Sequence, residues 1–352
     1  MAITIKDIAK LANVSPATVS CVLNKNKKIS DKTRLKIHKI IEETGYTPNF
    51  FARGLANSKT NTIAVITPDV PCVLGDRYFG EGVSGIYETA KKNNYKIILE
   101  QANFEFASTK RYLELFKEHS IDGMLYIGST CNDTYLIDFV GRDYPFLLVN
   151  SFFENIDISF VCMDNREIGY DAAKKLHSAG HRKIAFIYGS MNLPNTLDQY
   201  LGFKKFSDEH DLRIPADYIK SGGFTMQGGY NAAMELLECQ QPPTAVFCGN
   251  DLMAAGSLSA FKNSGIKVPG NIAVIGCDNI KLCEYSSPRI SSYEQNIYEI
   301  ASIACEKLIE KIEKKVDSGN GSVLKIKLDS KFIERESCGL KNRNNKRRYK
   351  NK

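Results

Sequence analysis

The 352-residue sequence has no run of about 18 apolar residues, so no transmembrane helix is expected. The start, Met1-Ala2-Ile3-Thr4-Ile5-Lys6-Asp7, lacks the apolar core of a signal peptide. A protein that stays in the cytoplasm, with no membrane partner, is expected. The ten cysteines are scattered, with no CxxC pair and no Cys/His cluster at zinc spacing. Reduced thiols are expected, with no disulfide framework and no metal site. There is no P-loop, no HExxH and no GxSxG elbow. Five histidines occur, but no Ser/His/Asp or paired-carboxylate arrangement can be inferred from them. No catalytic residue and no cofactor is therefore expected. Gly80-Glu81-Gly82-Val83-Ser84-Gly85 is a literal GxGxxG. A dinucleotide site needs those glycines in the turn straight after a strand, and here they fall inside a helical segment, so the match is read as chance.

What the sequence has in excess is basic charge at its ends. The formal net charge is +7. Residues 1–60 carry 11 Lys/Arg and 4 Asp/Glu, and residues 341–352 carry 7 Lys/Arg and no acid, which leaves 61–340 at net −7. A basic end on an acidic body suits a polyanionic partner, although a solvated lysine-rich surface explains the charge alone equally well.

The first 60 residues read as short helices. Thr4 and Asp7 suit a capping box, and Ile5, Ile8, Ala9 and Ala12 then recur at helical spacing. Asn13-Val14 makes a turn. Ser15 can cap a second helix with Pro16 at its first position and Val19, Val22 and Leu23 inside. Ser30 can cap a third, with Ile37, Ile40 and Ile41 inward and Gly45 as the stop. From about residue 61 apolar runs alternate with helical segments. The runs are 62–67, 95–99, 123–127, 145–149, 183–188, 244–248 and 272–276. The helical segments are 79–93, 106–119, 165–179, 197–209, 226–239 and 250–264. This pattern predicts parallel α/β sheets covered on both faces, with strands enough for two. The tail 341–352 is Lys, Arg and Asn with Tyr349 and is expected to be disordered.

Two short helices joined by a tight turn over residues 4–24 predict a helix-turn-helix whose second helix, 15–23, enters the major groove. Its outward residues are Ser15, Pro16, Ala17, Thr18, Ser20 and Cys21. Small side chains let the backbone approach DNA, and hydroxyls bond phosphates. A purely structural three-helix bundle would not need the basic surface.

These residues, continued by Thr33-Arg34, Glu42-Glu43, Gly45-Tyr46-Thr47-Pro48-Asn49 and Ala52-Arg53-Gly54-Leu55-Ala56, resemble the LacI family. The likeness resumes at Asp164-Asn165-Arg166, at Gly180 to Ile187, Gly202-Phe203, Asn250-Asp251, Val268-Pro269, Ile275 to Asp278 and Arg335-Glu336-Ser337. It runs from residue 4 to about 339. The resemblance implies a homodimeric regulator of operator DNA on a two-lobed, doubly wound parallel α/β body of periplasmic-binding-protein type. It implies a DNA-binding domain over 1–59, with a hinge helix near 49–56, and an effector-binding and dimerisation domain over 60–340. Lobe 1 is then about 60–161 with 294–322, and lobe 2 about 163–291 with 324–340. It adds Thr4, Asn24, Thr33, Tyr46, Asn49, Leu55 and Ala56 to the DNA-binding set. Leu55 matches the leucine that wedges into the minor groove at the operator centre.

In the body, Asp69, Ser129, Asn150, Asn250 and Asp278 lie just past apolar runs, where open α/β sheets bind ligands. Any one of them alone would more simply cap a loop. The resemblance adds Tyr78, Phe79, Phe224 and Gln295 as pocket positions. Cys21 and Gln199 stand where family members commonly carry arginine. With no guanidinium at Gln199, the expected small-molecule effector is a neutral sugar or glycoside. A solute-binding protein would share the body, but it would need an export signal and no helix-turn-helix. A sugar-modifying enzyme would need a nucleophile or acid–base pair in the cleft.

Overall fold

The computed structural model describes residues 3–23, 29–46, 59–314 and 323–340. Asn24, the expected hinge 49–56 with Asn49, Leu55 and Ala56, and the tail 341–352 lie outside the described residues. The described chain forms two compact units, dividing at Asn61–Thr62 except that 117–121 groups with the first.

The N-terminal unit holds α1 (Ile5–Ala12), α2 (Pro16–Leu23) and α3 (Asp31–Thr44). The capping box forms as read. The Thr4 amide donates to Asp7 Oδ2 at 2.9 Å and the Thr4 hydroxyl to the same oxygen at 2.7 Å. Asn13 takes a left-handed φ of 53° and stops α1. The Thr18 amide then donates to Ser15 Oγ at 3.1 Å, and the Thr33 amide to Ser30 Oγ at 3.4 Å. Ile8, Ala9, Ala12, Val19, Val22 and Ile37 bury against one another as a small core.

The second unit contains two six-stranded sheets. The first lobe is built from β1 (Thr62–Pro68), α4 (Arg77–Lys92), β2 (Lys96–Ala102), α5 (Phe104–Ser108), α6 (Arg111–Lys117), β3 (Gly123–Ile127), β4 (Phe146–Val149) and β5 (Phe160–Met163). The second has α7 (Asn165–Ser178), β6 (Ile184–Tyr188), α8 (Pro194–Glu209), β7 (Ile219–Ser221), α9 (Met226–Leu237), β8 (Ala245–Cys248), α10 (Asp251–Asn263), β9 (Ala273–Asp278), α11 (Leu282–Tyr285) and β10 (Ser291–Glu294). The chain then returns to the first lobe with α12 (Ile297–Lys314) and β11 (Lys325–Leu328), and ends in the second with β12 (Phe332–Ile333). The strand orders are β11-β5-β4-β3-β1-β2 and β12-β10-β9-β8-β6-β7. Among the described residues all pairings are parallel except β10 with β12. The central strands β1, β3, β4, β6 and β8 are buried almost throughout, as strands covered on both faces must be.

The expected alternation holds, with three corrections. The lobe boundaries shift: β11 pairs with β5, Lys325 opposite Phe160, so 325–328 belongs to the first lobe rather than the second. The chain therefore crosses near 164, near 295–296 and at 329–331. The single helix expected over 106–119 is two, because Lys110 turns left-handed at φ 56° and its ammonium pairs with Asp138 at 2.9 Å. Finally, β5, β7, β10, β11, β12, α11 and α12 fall outside the expected runs. The GxGxxG glycines lie within α4, where their use is packing. A Cβ at Gly85 would overlap the Tyr298 carbonyl of α12.

Candidate effector cleft and DNA-reading helix

The cleft is assembled at the C-terminal ends of both sheets. In the first lobe Asp69 sits exposed just past β1, and buried Ser129 follows β3 after Gly128, whose φ is 80°. Asn150 follows β4 with φ 48°. Asp76 caps α4 by accepting from the Tyr78 and Phe79 amides at 2.9 and 3.4 Å, which fixes both rings in the first turn. The rings meet edge to face at 5.2 Å. Phe79 lies against Gly128, where a Cβ would collide with the ring. Asn150 Nδ2 donates to the Tyr78 hydroxyl at 3.1 Å, and Asn150 Oδ1 accepts from the Met163 amide at 3.2 Å. The Ser129 hydroxyl donates to Ser151 Oγ at 2.7 Å.

In the second lobe Phe224, at φ 60°, lays its ring over Gly189, a place only glycine leaves open. Asn250 caps α10 through the Met253 amide at 2.9 Å and donates to the Phe224 carbonyl at 3.2 Å. Gln199 Nε2 and Gln295 Nε2 both donate to Asn165 Oδ1 at 3.1 Å. Asp278 ends β9 at φ 106°, a region that costs a side-chain-bearing residue strain and that recurs at ligand sites. Its neighbour Asn279 is held by donating to Glu294 at 3.2 Å and accepting from Arg335 at 2.8 Å.

Three features go beyond what the sequence reading offered. Asn195, in the first turn of α8, donates to the Asn150 carbonyl across the cleft at 2.5 Å, while its own Oδ1 is buried without a hydrogen-bond partner. Arg77 lies close enough to Asp278 for their charges to interact, although it is also paired with Glu81 at 2.9 Å. Asp251 is buried behind Asp278, accepting from Ser292 Oγ at 2.6 Å and the Ile280 amide at 2.9 Å. Strand-end reasoning finds Asp278 and passes over the other three, which sit on helix first turns.

Burial and the neighbouring Asp251 push the Asp278 carboxyl well above the ordinary carboxylate range, with Arg77 opposing. Asp278 thus holds a proton more firmly than the plain acceptor that the sequence suggests. An acid whose folded-state pKa is raised contributes stability at low pH that is lost as pH climbs from its unfolded value through its folded one. Asp278→Asn should therefore melt close to wild type near pH 4 and above wild type by a few degrees at pH 8. Melting curves across that range check this, and a gap that shrinks with rising pH would overturn it. Burial, then Asp278 and Asp76, also hold the Tyr78 proton.

In the N-terminal unit, Ser15, Pro16 and Ala17 are exposed at the start of α2, and Thr18, Ser20 and Cys21 are half-exposed. Val19 and Val22 on the opposite side are buried. The Ser15 and Thr18 hydroxyls bond to each other at 2.9 Å, as do those of Ser30 and Thr33. The Thr4 hydroxyl is engaged by Asp7, and Tyr46 packs partly buried against the small core.

Residues 4–49 match the family model for bacterial regulatory proteins of the lacI family, and residues 173–338 match that for a periplasmic binding protein-like domain. The chain is 34% identical over 336 residues to the HTH-type transcriptional repressor CytR of Escherichia coli (strain K12), covering 96% of both proteins. The chain belongs to the LacI family. This LacI-family chain is a DNA-binding regulator of transcription, the reading its helix-turn-helix suggested. It is also 33% identical over 320 residues to catabolite control protein A of Priestia megaterium, covering 90% of this chain and 95% of that one. Its fold superposes on the lac repressor dimer bound to operator and the anti-inducer ONPF with a TM-score of 0.81 at 21% identity, covering 96% and 99%. It superposes on a CelR–cellobiose complex with a TM-score of 0.70 at 24% identity, covering 95% and 99%. No helix among the described residues is long and apolar enough to cross a membrane.

Proposed function

We propose that this regulator is a cytoplasmic, homodimeric repressor. Two copies of α2 read the half-sites of a pseudo-palindromic operator, and a neutral sugar or glycoside in the cleft sets the affinity. Residues 1–59 form the DNA-binding part and 60–340 the effector-binding part. The DNA contacts are Thr4, Ser15, Pro16, Ala17, Thr18, Ser20, Cys21, Asn24, Thr33, Tyr46, Asn49, Leu55 and Ala56. The observation that carries the effector reading is the cleft lining. Tyr78, Phe79 and Phe224 offer ring faces, burial shifts the Asp278 carboxyl toward its neutral form, and Asn195 presents a buried oxygen with no partner. Aromatic faces and neutral donors and acceptors suit a hydroxyl-rich ring. Asp69, Ser129, Asn150, Gln199, Asn250 and Gln295 complete the lining. Arg77 is already paired with Glu81 at 2.9 Å, so it adds no net anion attraction. The cellobiose-bound neighbour is consistent with such a ligand.

A thermal-shift screen of sugars, glycosides, nucleobases and their phosphates tests this. A ligand at a hundred times its Kd stabilises the fold by about 2.7 kcal/mol. The expected hit is uncharged and leaves the screen unchanged chemically, since a regulator turns nothing over. A tight sugar phosphate or acid, or measurable turnover, would contradict it. Sedimentation of the free protein should give a dimer, because two copies of α2 reading a pseudo-palindrome need a two-fold pair. A stable tetramer or a monomer on DNA would count against that.

A further inference from the structure

Asp198 of α8 is a carboxylate with 1% of its side chain exposed, and none of the preceding roles uses it. Its Oδ1 accepts from Arg166 Nε at 2.7 Å and its Oδ2 from Lys327 Nζ at 3.3 Å. Arg166, in the first turn of α7, belongs to the second lobe with Asp198. Lys327 belongs to β11 of the first lobe, two residues before the last crossing begins. The same guanidinium reaches into the first lobe, where its terminal nitrogen donates to Glu154 at 2.6 Å. Lys327 also lies 3.8 Å from Asp164 at the first crossing and over the Phe152 ring at 4.7 Å. Two ion pairs, Asp198 with Lys327 and Arg166 with Glu154, therefore bridge the lobes beside two of the three crossings.

The position matters because of what is adjacent. Asp198 precedes Gln199, and Arg166 follows Asn165, the residue that Gln199 and Gln295 both bond in the floor of the cleft. A shift of α8 that moves Gln199 must move Asp198 with it. Each charge also has a reason to keep its partner. A buried carboxylate that loses a cation is left uncompensated, at a cost well above that of an exposed pair.

We propose that Arg166, Asp198, Lys327 and Glu154 form an ionic latch that holds the two lobes in their present orientation and sets how readily the cleft opens. This rests on the cleft being the effector site only for its consequence. Apparent effector affinity would scale with the fraction of molecules in the binding-competent orientation. The latch itself is a statement about the lobes.

The fold supplies a reporter for it. The Cys131 amide, in the loop after β3, donates across the lobes to the Asn192 carbonyl, in the loop after β6, at 2.8 Å. The experiment is amide hydrogen exchange on the full chain without DNA or effector. Wild type is compared with Glu154→Gln, Lys327→Gln and the charge reversal Glu154→Arg with Arg166→Glu. The two single variants should speed exchange at Cys131 by about five-fold, while β3 and β6 keep their protection. The reversal should restore the Glu154–Arg166 attraction and slow exchange relative to Arg166→Glu alone. Raising NaCl from about 0.1 to 1 M should speed exchange at Cys131 in wild type, since the pair with Glu154 is open to screening. Unchanged Cys131 exchange in both single variants, or in wild type at high salt, would overturn the latch. So would loosening confined to α7 and α8, which is what a pairing that only stiffens the second lobe would give. None of these readouts needs an effector, so a failed effector assignment and a failed latch are told apart.

Discussion

Gly202→Val should be among the most damaging single substitutions in the body, lowering its stability by about 3 kcal/mol. Helices α7 and α8 cross at two glycines. A Cβ at Gly202 would overlap the Arg166 carbonyl, and one at Gly169 would overlap the Gln199 carbonyl. The obstructing atoms are backbone, so no side-chain rotamer relieves them and the helices must separate. That separation would act on Asp198 and Gln199 one turn earlier in α8, so the cleft floor would be lost with the packing. A body of this size should lose roughly 6–12 °C in melting temperature. Gly75→Ala is the control, because a Cβ there meets only the Cys72 Cβ at 3.9 Å, an ordinary contact. Calorimetry of the two variants decides the matter. Equal melting temperatures would mean that the helix crossing has more give than its backbone contacts allow.

Leu55→Ala should reduce binding to the specific operator by ten-fold or more while leaving binding to random duplex nearly unchanged. The expectation comes from the family likeness at residues 49–56, which lie outside the described residues. A wedged apolar side chain acts only where a base step is opened and the duplex bent, whereas phosphate contacts act on any sequence. Competition between operator and random DNA at fixed salt separates the two. Equal loss on both would make Leu55 a structural residue.

Much of the fold was written plainly in the chain. Residues 62–67 form a nearly unbroken apolar run because β1 is buried on both faces, and Ser15-Pro16 and Ser30 announce helices because a hydroxyl is needed there for an exposed amide. What escaped has tertiary causes. β10 reads Ser291-Ser292-Tyr293-Glu294, too polar for a buried strand. Its Ser292 hydroxyl is satisfied by Asp251, and its Ser291 amide donates to Ser337 Oγ at 2.8 Å, partners far away in sequence. β11, with Lys325 and Lys327 alternating with Ile326 and Leu328, is an edge strand, and nothing local says which sheet it joins. Helix α12 is different. Ile297, Ile300, Ala301, Ala304, Leu308 and Ile312 keep helical spacing, so its signal was present in the sequence.

The cleft divides in the same way. Asn150, Asn250 and Asp278 follow from one topological rule about strand ends, and the chain places all three there. Their hydrogen bonding does not follow from that rule. Asn250 spends its amide on a helix cap and the Phe224 carbonyl, and Asn150 spends its own on Tyr78 and Met163. Asn195 Oδ1 is buried there without a hydrogen-bond partner, and only the approach of the two lobes identifies it. The upward shift of the Asp278 carboxyl likewise depends on burial and on Asp251, 27 residues earlier in the numbering.

On the proposed function, one chain couples sequence-specific DNA binding to occupancy of the cleft. Linkage makes that coupling reciprocal. The direct measurement is a paired titration of the wild-type protein with a duplex selected from a random pool and with the ligand found by thermal shift. The selected duplex should be pseudo-palindromic. The factor by which saturating ligand changes duplex affinity should equal the factor by which saturating duplex changes ligand affinity. A pool that yields no enriched site, or a ligand that binds free and DNA-bound protein equally well, would rule that coupling out.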